Sequence, residues 1–524
     1  MVVVGFGAAG SSAAIEARSH GATVLVLDRF RGGGATARSG GVVYAGGGSE
    51  EQKAAGYVDD PEEMFRYLAL EVGDAVGEST LRRFCQESLA NLRWLENLGV
   101  LFGPSASKPP KTSYPTDECT LYFSGNELAH PYKAAARSAP RGHRVSGTGL
   151  TGRVLFRHLR RATLQAGAEV RYRSRAQRLL TDDTGRVCGV EVTTVPDSFV
   201  WGRWHGFLFN LATVGAMVSR PLGRVGQRVL ARFEARHGRR WNAKARSGVI
   251  LCTGGFVFNP DMMREHAPLF AACMPIGTAG DDGSGILLGE SVGGALERMD
   301  RCSAWRFINP PEAFTRGVLV DAQGRRICSE ELYGGTLGQL IAQRAGGRAF
   351  LVIDADMAIK AREQVRGRSV TWFQKVTALI NLFFNRKKAT TLERLALRCG
   401  MSADALAETI SEYNRAALTG GPDAFGKAAA LCQPIHTPPF YAINCDLESA
   451  RFQAPCLTLG GLRVDGLSGQ VLRHDGSPIA GLYAAGRTAV GVSSQSYVSG
   501  LAIADGIFSG RNAGCHAATP GGTR

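Results

Sequence analysis

The chain has 524 residues, too many for one small core, so two or three domains are expected, and its 44% hydrophobic content is that of an ordinary globular protein. Lysine and arginine number 61 against 46 acids, a formal charge of +15 that suits an anionic partner such as phosphate groups, a membrane surface or nucleic acid; no zinc-finger, RNP-type or helix-turn-helix signature accompanies it, which argues against nucleic acid. The 12 cysteines are scattered singly with no C-x-x-C, which argues against a metal site and fits reduced thiols in a cytoplasmic compartment.

The chain starts directly on MVVVGFG, without a basic n-region or cleavage site, so no signal peptide is expected. Val2 to Val4 reads as a buried strand, Gly5-Phe6-Gly7-Ala8-Ala9-Gly10 as a glycine turn, and the residues to about Ser19 as a helix. Ala22 to Leu27 reads as a second buried strand ending at Asp28. This is the βαβ dinucleotide fingerprint: Gly5, Gly7 and Gly10 let the backbone approach a pyrophosphate at a helix N-terminus, with Ala8 and Ala9 in its first turn. Asp28 falls where an acid hydrogen-bonds a ribose hydroxyl, and its neighbour Arg29 is counted with it. The small-residue loop RGGGATARSGG follows, adding Gly34, Ala35, Thr36, Ser39, Gly40 and Gly41 to the candidate cofactor site.

Gly147-Thr148-Gly149-Leu150-Thr151-Gly152 repeats the fingerprint spacing, but only PRGHRVS precedes it, no strand is expected there, and it is set aside as a chance match. A β-meander leads to an insertion at 196–246, with Trp201, Trp204 and FLFNLATVGAMVS, then Arg220, Arg224, Arg228, Arg232, Arg236, Arg239 and Arg240. GVILCTGGF is a strand running into a turn with Thr253, Gly254 and Gly255, and GTAGDDGSGILLG brings Gly280, Asp281 and Gly283. Trp372, Phe373, Val376, Leu379, Ile380 and Phe383 recur at helical spacing between basic flanks that include Lys387 and Lys388. Neither apolar segment approaches the roughly 20 residues that cross a bilayer. Both 201–240 and 370–388 are therefore read as a peripheral membrane contact, the plainer alternative being packed helices with a solvated basic rim. GLYAAGR ends another strand in Gly486 and Arg487, and SSQSYVSGL contributes Gly500 and Leu501 before a last helix. The fingerprint alone admits NAD or FAD; several glycine-ended strands converging on one ligand suit the longer, extended cofactor.

With these motifs, VVVGFGAAG, GGGATARSGG, PRGHRVSGTGLTG, VILCTGGF, VDAQGRRICSEELYG and the C-terminal AAGR and GLAIADG, the sequence resembles the flavoprotein family of fumarate reductases and 3-ketosteroid dehydrogenases. The resemblance implies an α/β fold. A Rossmann-like doubly wound FAD domain would be built from both chain ends (1–300 and 441–524), with a substrate-capping domain inserted at 301–440. Members with covalent flavin carry a histidine in the loop after the second strand; ARSGG has none, so FAD is expected to be non-covalent. Tyr333 stands about where the reductases place an arginine proton donor, and SYVSG resembles the branch that desaturates C4–C5 of 5α-steroids, as does LYFSGNE from Leu121 to Glu127. The implied activity is FAD-dependent desaturation of a 3-ketosteroid at C4–C5. The alternatives are Δ1 desaturation, reduction of an enone or acrylate, and a non-catalytic, membrane-docked flavin scaffold.

Desaturation beside a ketone removes an α-proton and a β-hydride, the latter taken by the flavin. The resemblance implies that Tyr333, Tyr497, Ser499 and the backbone N–H of Gly500 serve it: one tyrosine polarises the ketone while another, relayed through Ser499, takes the proton. The bland alternative leaves both tyrosines as packing and Ser499 as a helix cap. His143 and Arg144 match a family segment near the flavin edge or belong to a solvated basic turn, and Tyr114 and Tyr122 are expected to pack against the pocket. Reoxidation calls for an electron acceptor that no motif identifies.

Overall fold

The computed structural model describes residues 1–106, 112–367, 370–449 and 452–519. Its central sheet has six strands drawn from both chain ends, in the order Gln470–Leu472, Pro478–Ala484, Val249–Leu251, Val2–Val4, Leu25–Leu27 and Glu169–Arg171. All neighbours are parallel except the first pair. Val3 lies in register between Val26 and Ile250, each fully buried, as expected of a strand with helices on both faces. The second strand begins at Leu25, later than the expected Ala22.

Helix α1 (Ala8–Ser19) follows the first strand, and the C-terminal helix Leu501–Ala518 packs along it. Their approach depends on absent side chains: a Cβ on Gly510 would lie 2.4 Å from the Ala9 carbonyl oxygen, and one on Gly514 would lie 2.4 Å from that of Ala13. The two ends of the chain are held together by this backbone contact.

The insertion is a helical hairpin, α2 (Phe199–Val218) and α3 (Arg220–His237), closing on strand Arg239–Lys244, which joins Ser174–Thr181 and Val187–Thr194 as a third antiparallel strand. Gly223 and Gly226 let the helices touch, since a Cβ on either would approach Ala216 or Ala212 within 2.5 and 2.8 Å of their Cα atoms.

Between these parts stands a second, antiparallel sheet, ordered Val318–Asp321, Ala349–Ile353, Phe440–Asn444, Arg386–Ala389 and flanked by α4 (Gly334–Ala345) and α5 (Trp372–Phe383). Phe440–Asn444 thus belongs to this sheet, so the expected boundary at 441 falls inside one of its strands, and the chain returns to the first sheet later. Lys387 and Lys388 lie exposed on the edge strand Arg386–Ala389, where charge also discourages edge-to-edge pairing. Fully buried Glu330 accepts the Leu319 N–H (2.8 Å), Arg326 (2.8 Å) and Lys427 (3.0 Å), fixing the segment that leads into Tyr333.

One expectation about the glycine repeat at 147–152 is corrected. A strand, Gly142–Arg144, does precede it and the helix Gly152–Gln165 follows, but the strand is the centre of a small antiparallel sheet with Val42–Tyr44 and Leu121–Tyr122. Within the repeat, Arg144 donates to Gly147 O at 2.8 Å and Gly149 O at 2.9 Å, and the Gly149 N–H donates to Asp117 at 2.7 Å, so its polar groups are already engaged by the protein.

The α1 contact carries a prediction. Gly510→Val forces the C-terminal helix off the α1 backbone, and a loss of about 1–3 kcal/mol in unfolding free energy is expected from denaturant unfolding; an unchanged value would show that the contact is dispensable.

Candidate active site

One cavity of about 1410 Å³ runs between the central sheet, the hairpin and the second sheet. It exceeds the roughly 300–1,000 Å³ usual for a single small ligand. Gly5, Gly7, Ala8, Ala9, Asp28, Arg29, Gly34, Ala35, Thr36, Ser39, Gly40, Thr253, Gly254, Gly280, Asp281, Gly486, Arg487 and Gly500 line it, as do Tyr333, Tyr497 and Ser499. Gly10, Gly41, Gly255, Gly283 and Leu501, expected with them at the cofactor, are not among the lining residues. They serve packing behind the wall: a Cβ on Gly10 would strike the Gly5 carbonyl, one on Gly41 Thr151, one on Gly255 Thr458 and one on Gly283 Met262, while Leu501 is fully buried.

The fingerprint turn has the conformation its glycines allow. Gly5 has φ +102°, and any Cβ there would lie 2.2 Å from the Cys252 carbonyl oxygen. The Thr36 hydroxyl accepts the Ala8 N–H at 3.0 Å, at the start of α1. Asp28 lines the cavity, yet its carboxylate also takes three backbone N–H groups, from Phe6 (3.0 Å), Phe30 (2.8 Å) and Gly32 (3.0 Å), and so folds the loop around it. Arg29 turns to the hairpin: it holds Glu234 through two bonds of 2.9 Å and Asp282 at 2.7 Å. Glu234 is buried and is reached by His205 (3.1 Å) and Arg175 (3.5 Å) as well. Burial pushes its carboxyl up, but the charges of Arg29 and Arg175 and the bonds from His205 and Arg29 outweigh this and bring it down to about 2. Phe30 stacks on Phe209 of α2, with ring centroids 4.2 Å apart.

A second group of lining residues is aromatic and hydroxylic. The Tyr122 hydroxyl donates to Ser499 Oγ at 2.8 Å, and Ser499 also stands beside the Tyr333 hydroxyl. The Gly500 N–H faces the Tyr497 hydroxyl and favours its charged form, and Trp305 lies against the Tyr497 ring at 5.5 Å. Burial raises Tyr333 and Tyr122 well above the ordinary phenol, with the Ser499 hydroxyl opposing it in each. Burial raises Tyr497 too, while the Gly500 N–H and the Arg487 charge pull the other way. Tyr333 and Gly500 are the N-cap residues of α4 and the C-terminal helix, where the positive end of the helix dipole favours negative charge. The N-cap of the C-terminal helix is Gly500, so Ser499 stands one residue before the position the capping alternative gave it.

These groups are held by one buried tether. Glu71 accepts Tyr67 Oη (2.8 Å), Asn126 Nδ2 (2.7 Å) and Ser496 Oγ (2.9 Å), and Asn126 Oδ1 accepts the Tyr333 N–H at 2.7 Å. Burial raises the Glu71 carboxyl, and its three donors hold it back. Glu71 and Asn126 were not among the expected site residues, and Tyr122 was expected only to pack against the pocket; the motif LYFSGNE contains Tyr122 and Asn126, but their partners lie far along the chain. His143 and Arg144 are fully buried, so neither belongs to a solvated turn. His143 meets Ser49 Oγ at 2.8 Å, and Arg144 meets the Tyr114 hydroxyl at 3.2 Å, behind the cavity edge.

The sequence family described as "FAD binding domain" matches residues 1–500. The chain is 38% identical over 501 residues to a 3-oxo-5-alpha-steroid 4-dehydrogenase of Comamonas testosteroni, covering 93% of this chain and 92% of that protein. It is 27% identical to a 3-oxosteroid 1-dehydrogenase of Mycolicibacterium smegmatis, covering 95% and 93%. Among solved structures, the 3-ketosteroid-delta4-(5alpha)-dehydrogenase of Rhodococcus jostii in complex with 4-androstene-3,17-dione superposes with a TM-score of 0.82 at 33% identity, covering 99% of this chain and 96% of that one.

The residues present fit FAD. A Cβ on Gly34 would meet nothing within 4 Å, so this lining backbone is open to close approach. Arg487 donates to Asp281 at 2.5 Å, while its Nη1 is buried without a hydrogen-bond partner among the described residues. Gly5, Gly7 and the α1 N-terminus would hold the pyrophosphate.

Two outcomes follow from the buried polar groups. Glu234→Gln weakens the hold on Arg29, and the dissociation constant for FAD, read from flavin fluorescence, is expected to rise several-fold; an unchanged constant would separate the hairpin from cofactor retention. Asn126→Leu strips partners from Glu71 and the Tyr333 N–H, which is expected to cost about 1–3 kcal/mol of stability in denaturant unfolding, and no loss would dismiss the tether.

Proposed function

This chain belongs to the FAD binding domain family, and from that premise we propose that it is an FAD-dependent oxidoreductase that desaturates a 3-oxo-5α-steroid between C4 and C5. The observation that carries the reading is the bond between Tyr122 and Ser499 beside Tyr333, Tyr497 and the Gly500 N–H in one buried cluster. Aromatic neighbours Trp305, Phe307, Phe373 and Phe452 give the same cavity the apolar lining a steroid needs.

FAD, when bound, supplies the two-electron acceptor that takes hydride from C5. The protein's part is to make the C4 proton leave. The Tyr497 hydroxyl, kept neutral by burial and strengthened as a donor by the Gly500 N–H and Arg487, donates to the C3 carbonyl oxygen and stabilises the developing enolate. Tyr333 receives the C4 proton as its own passes to Ser499 and on to Tyr122, whose hydroxyl reverses its bond to Ser499 and releases a proton into the cavity it lines. Burial disfavours a resting phenolate at Tyr333, so acceptance and release belong to one concerted relay rather than to a free base. The two electrons then leave to an external acceptor.

The same reading divides the chain into a dinucleotide-binding unit from both ends and a substrate-capping unit between them, its far boundary beyond Asn444. It also includes peripheral membrane contact through 201–240 and 370–388.

Anaerobic addition of a saturated 5α-3-ketosteroid is expected to bleach the flavin absorbance of the holoprotein, and a 4-ene-3-ketosteroid is not; bleaching by the 4-ene alone would transfer the activity to Δ1 chemistry. Tyr333→Phe is expected to lower kcat roughly 10²–10⁴-fold with FAD binding intact, and unchanged turnover would remove Tyr333 from the relay.

A further inference from the structure

We propose that the outer faces of α2, α3 and α5 form one docking surface for an anionic lipid bilayer, and that steroid passes from the bilayer into the cavity between Phe207 and Trp372. This rests on the steroid reading above. The surface is apolar to an unusual degree for a solvent face. On α2, Phe199 (78% exposed), Trp204, Phe207 and Val218 (77%) point outward; on α3, Leu222, Val225 and Val229 do so; on α5, Trp372 (77%), Val376, Leu379 and Phe383 follow. Single exposed apolar residues need no explanation, but faces of them on the paired helices α2 and α3 and on α5, which lines the same cavity, mark an interaction site.

Charge selects the occupant. Arg203, Arg224, Arg228, Arg232 and Arg236 are exposed among these side chains. Glu234 is the only acid between Phe199 and Arg240, and it is buried on Arg29. No acid stands between Arg366 and Lys388. A second copy of the chain would set like charges face to face, whereas anionic headgroups supply the missing sign and the acyl region takes the aromatic and aliphatic side chains. Among the described residues no helix is long and apolar enough to cross a membrane, so the contact is interfacial.

Position supplies the route. Phe207 of α2 and Trp372 of α5 are both exposed and both line the cavity, although more than a hundred and fifty residues of chain separate them. Arg203 and Asn210 on the one side and Phe373 on the other line it as well. An apolar substrate dissolved in the bilayer therefore meets the cavity mouth where the protein meets the lipid.

The test is flotation of the FAD-loaded protein with vesicles of phosphatidylcholine alone or mixed with phosphatidylglycerol, together with turnover of a saturated 3-ketosteroid delivered either in those vesicles or from cyclodextrin. Binding to the phosphatidylglycerol vesicles is expected. It should fall at least tenfold in the double variant Arg224→Glu, Arg228→Glu, since each basic residue near such a surface contributes ~1 kcal/mol. The double variant Phe199→Asp, Val218→Asp should lose vesicle-delivered turnover in step with binding and keep cyclodextrin-delivered turnover. No binding at low salt, or variants that bind as the parent does, would overturn the proposal, and so would a dimer in sedimentation that buries this face. Intact vesicle binding with no turnover by either delivery would instead sink the steroid reading, and with it the route but not the docking surface.

Discussion

The carboxylate of Glu71 is the constraint on which the rest of the site depends. It comes from the helix Pro61–Val72, far from the cavity in sequence, and is almost fully buried. Burying a charge without partners would cost several kcal/mol, so its three donors are a condition of folding rather than an ornament. Two of those donors lead directly to the reacting groups. Asn126 grips the backbone of Tyr333 and the Thr336 hydroxyl (2.8 Å) in the first turn of α4, and Ser496 is the residue before Tyr497. One anion therefore sets the distance between a tyrosine carried by the second sheet's unit and a tyrosine carried by the C-terminal loop. Side-chain packing alone would allow either to shift by an ångström, and proton relays fail at that scale.

Given that anchorage, the electrostatics of the hydroxyl cluster follow from position. Each phenol is buried, so each prefers to be neutral, yet they differ in what opposes burial. Tyr497 has a backbone N–H and a nearby guanidinium, whereas Tyr333 and Tyr122 have only the shared Ser499 hydroxyl. The first environment favours a strong donor, the second a chain that moves a proton without holding a charge. That division supports the proposed roles, which residue types alone leave open, since the three phenols are chemically identical. Glu127, buried beside Tyr44 at 3.4 Å and pushed up to about 7 mainly by burial, adds negative potential on the Tyr333 side and makes a lasting phenolate there less favourable still.

How much of this could be read from the chain depends on how local each feature is. Glycine turns are local: the fingerprint, the GGGATARSGG loop and the Gly486–Arg487 turn all face the cavity, because a backbone pressed against a ligand leaves its mark in the residues at the contact. The third fingerprint glycine, Gly10, serves close helix–strand packing rather than the ligand, a distinction that spacing does not carry. Tyr122 was taken for packing because its partner, Ser499, stands 377 residues away. Arg29 was expected only as a cofactor neighbour, and its partner Glu234, 205 residues away, leaves no mark in the local sequence. Asp28 shows the limit of motif reading: the same carboxylate that suits a ribose also folds its own loop. The boundary placed at 441 fell within Phe440–Asn444 because a short apolar strand reads the same in either sheet.

The insertion joins both halves of the argument. Its inner face supplies Glu234, whose bonds to Arg29, His205 and Arg175 seal one side of the cofactor cleft, and Phe209, which stacks on Phe30. Its outer face carries the exposed apolar and cationic side chains. A helix that needed only to seal the cleft would gain nothing from Phe199, Trp204 and Val218 in water, where burying each would be worth roughly 1.5–3 kcal/mol. The hairpin thus has two unlike faces, one closing the cavity and one exposing apolar and cationic side chains, on helices of 20 and 18 residues, and the proposed lipid contact would give the second face its partner.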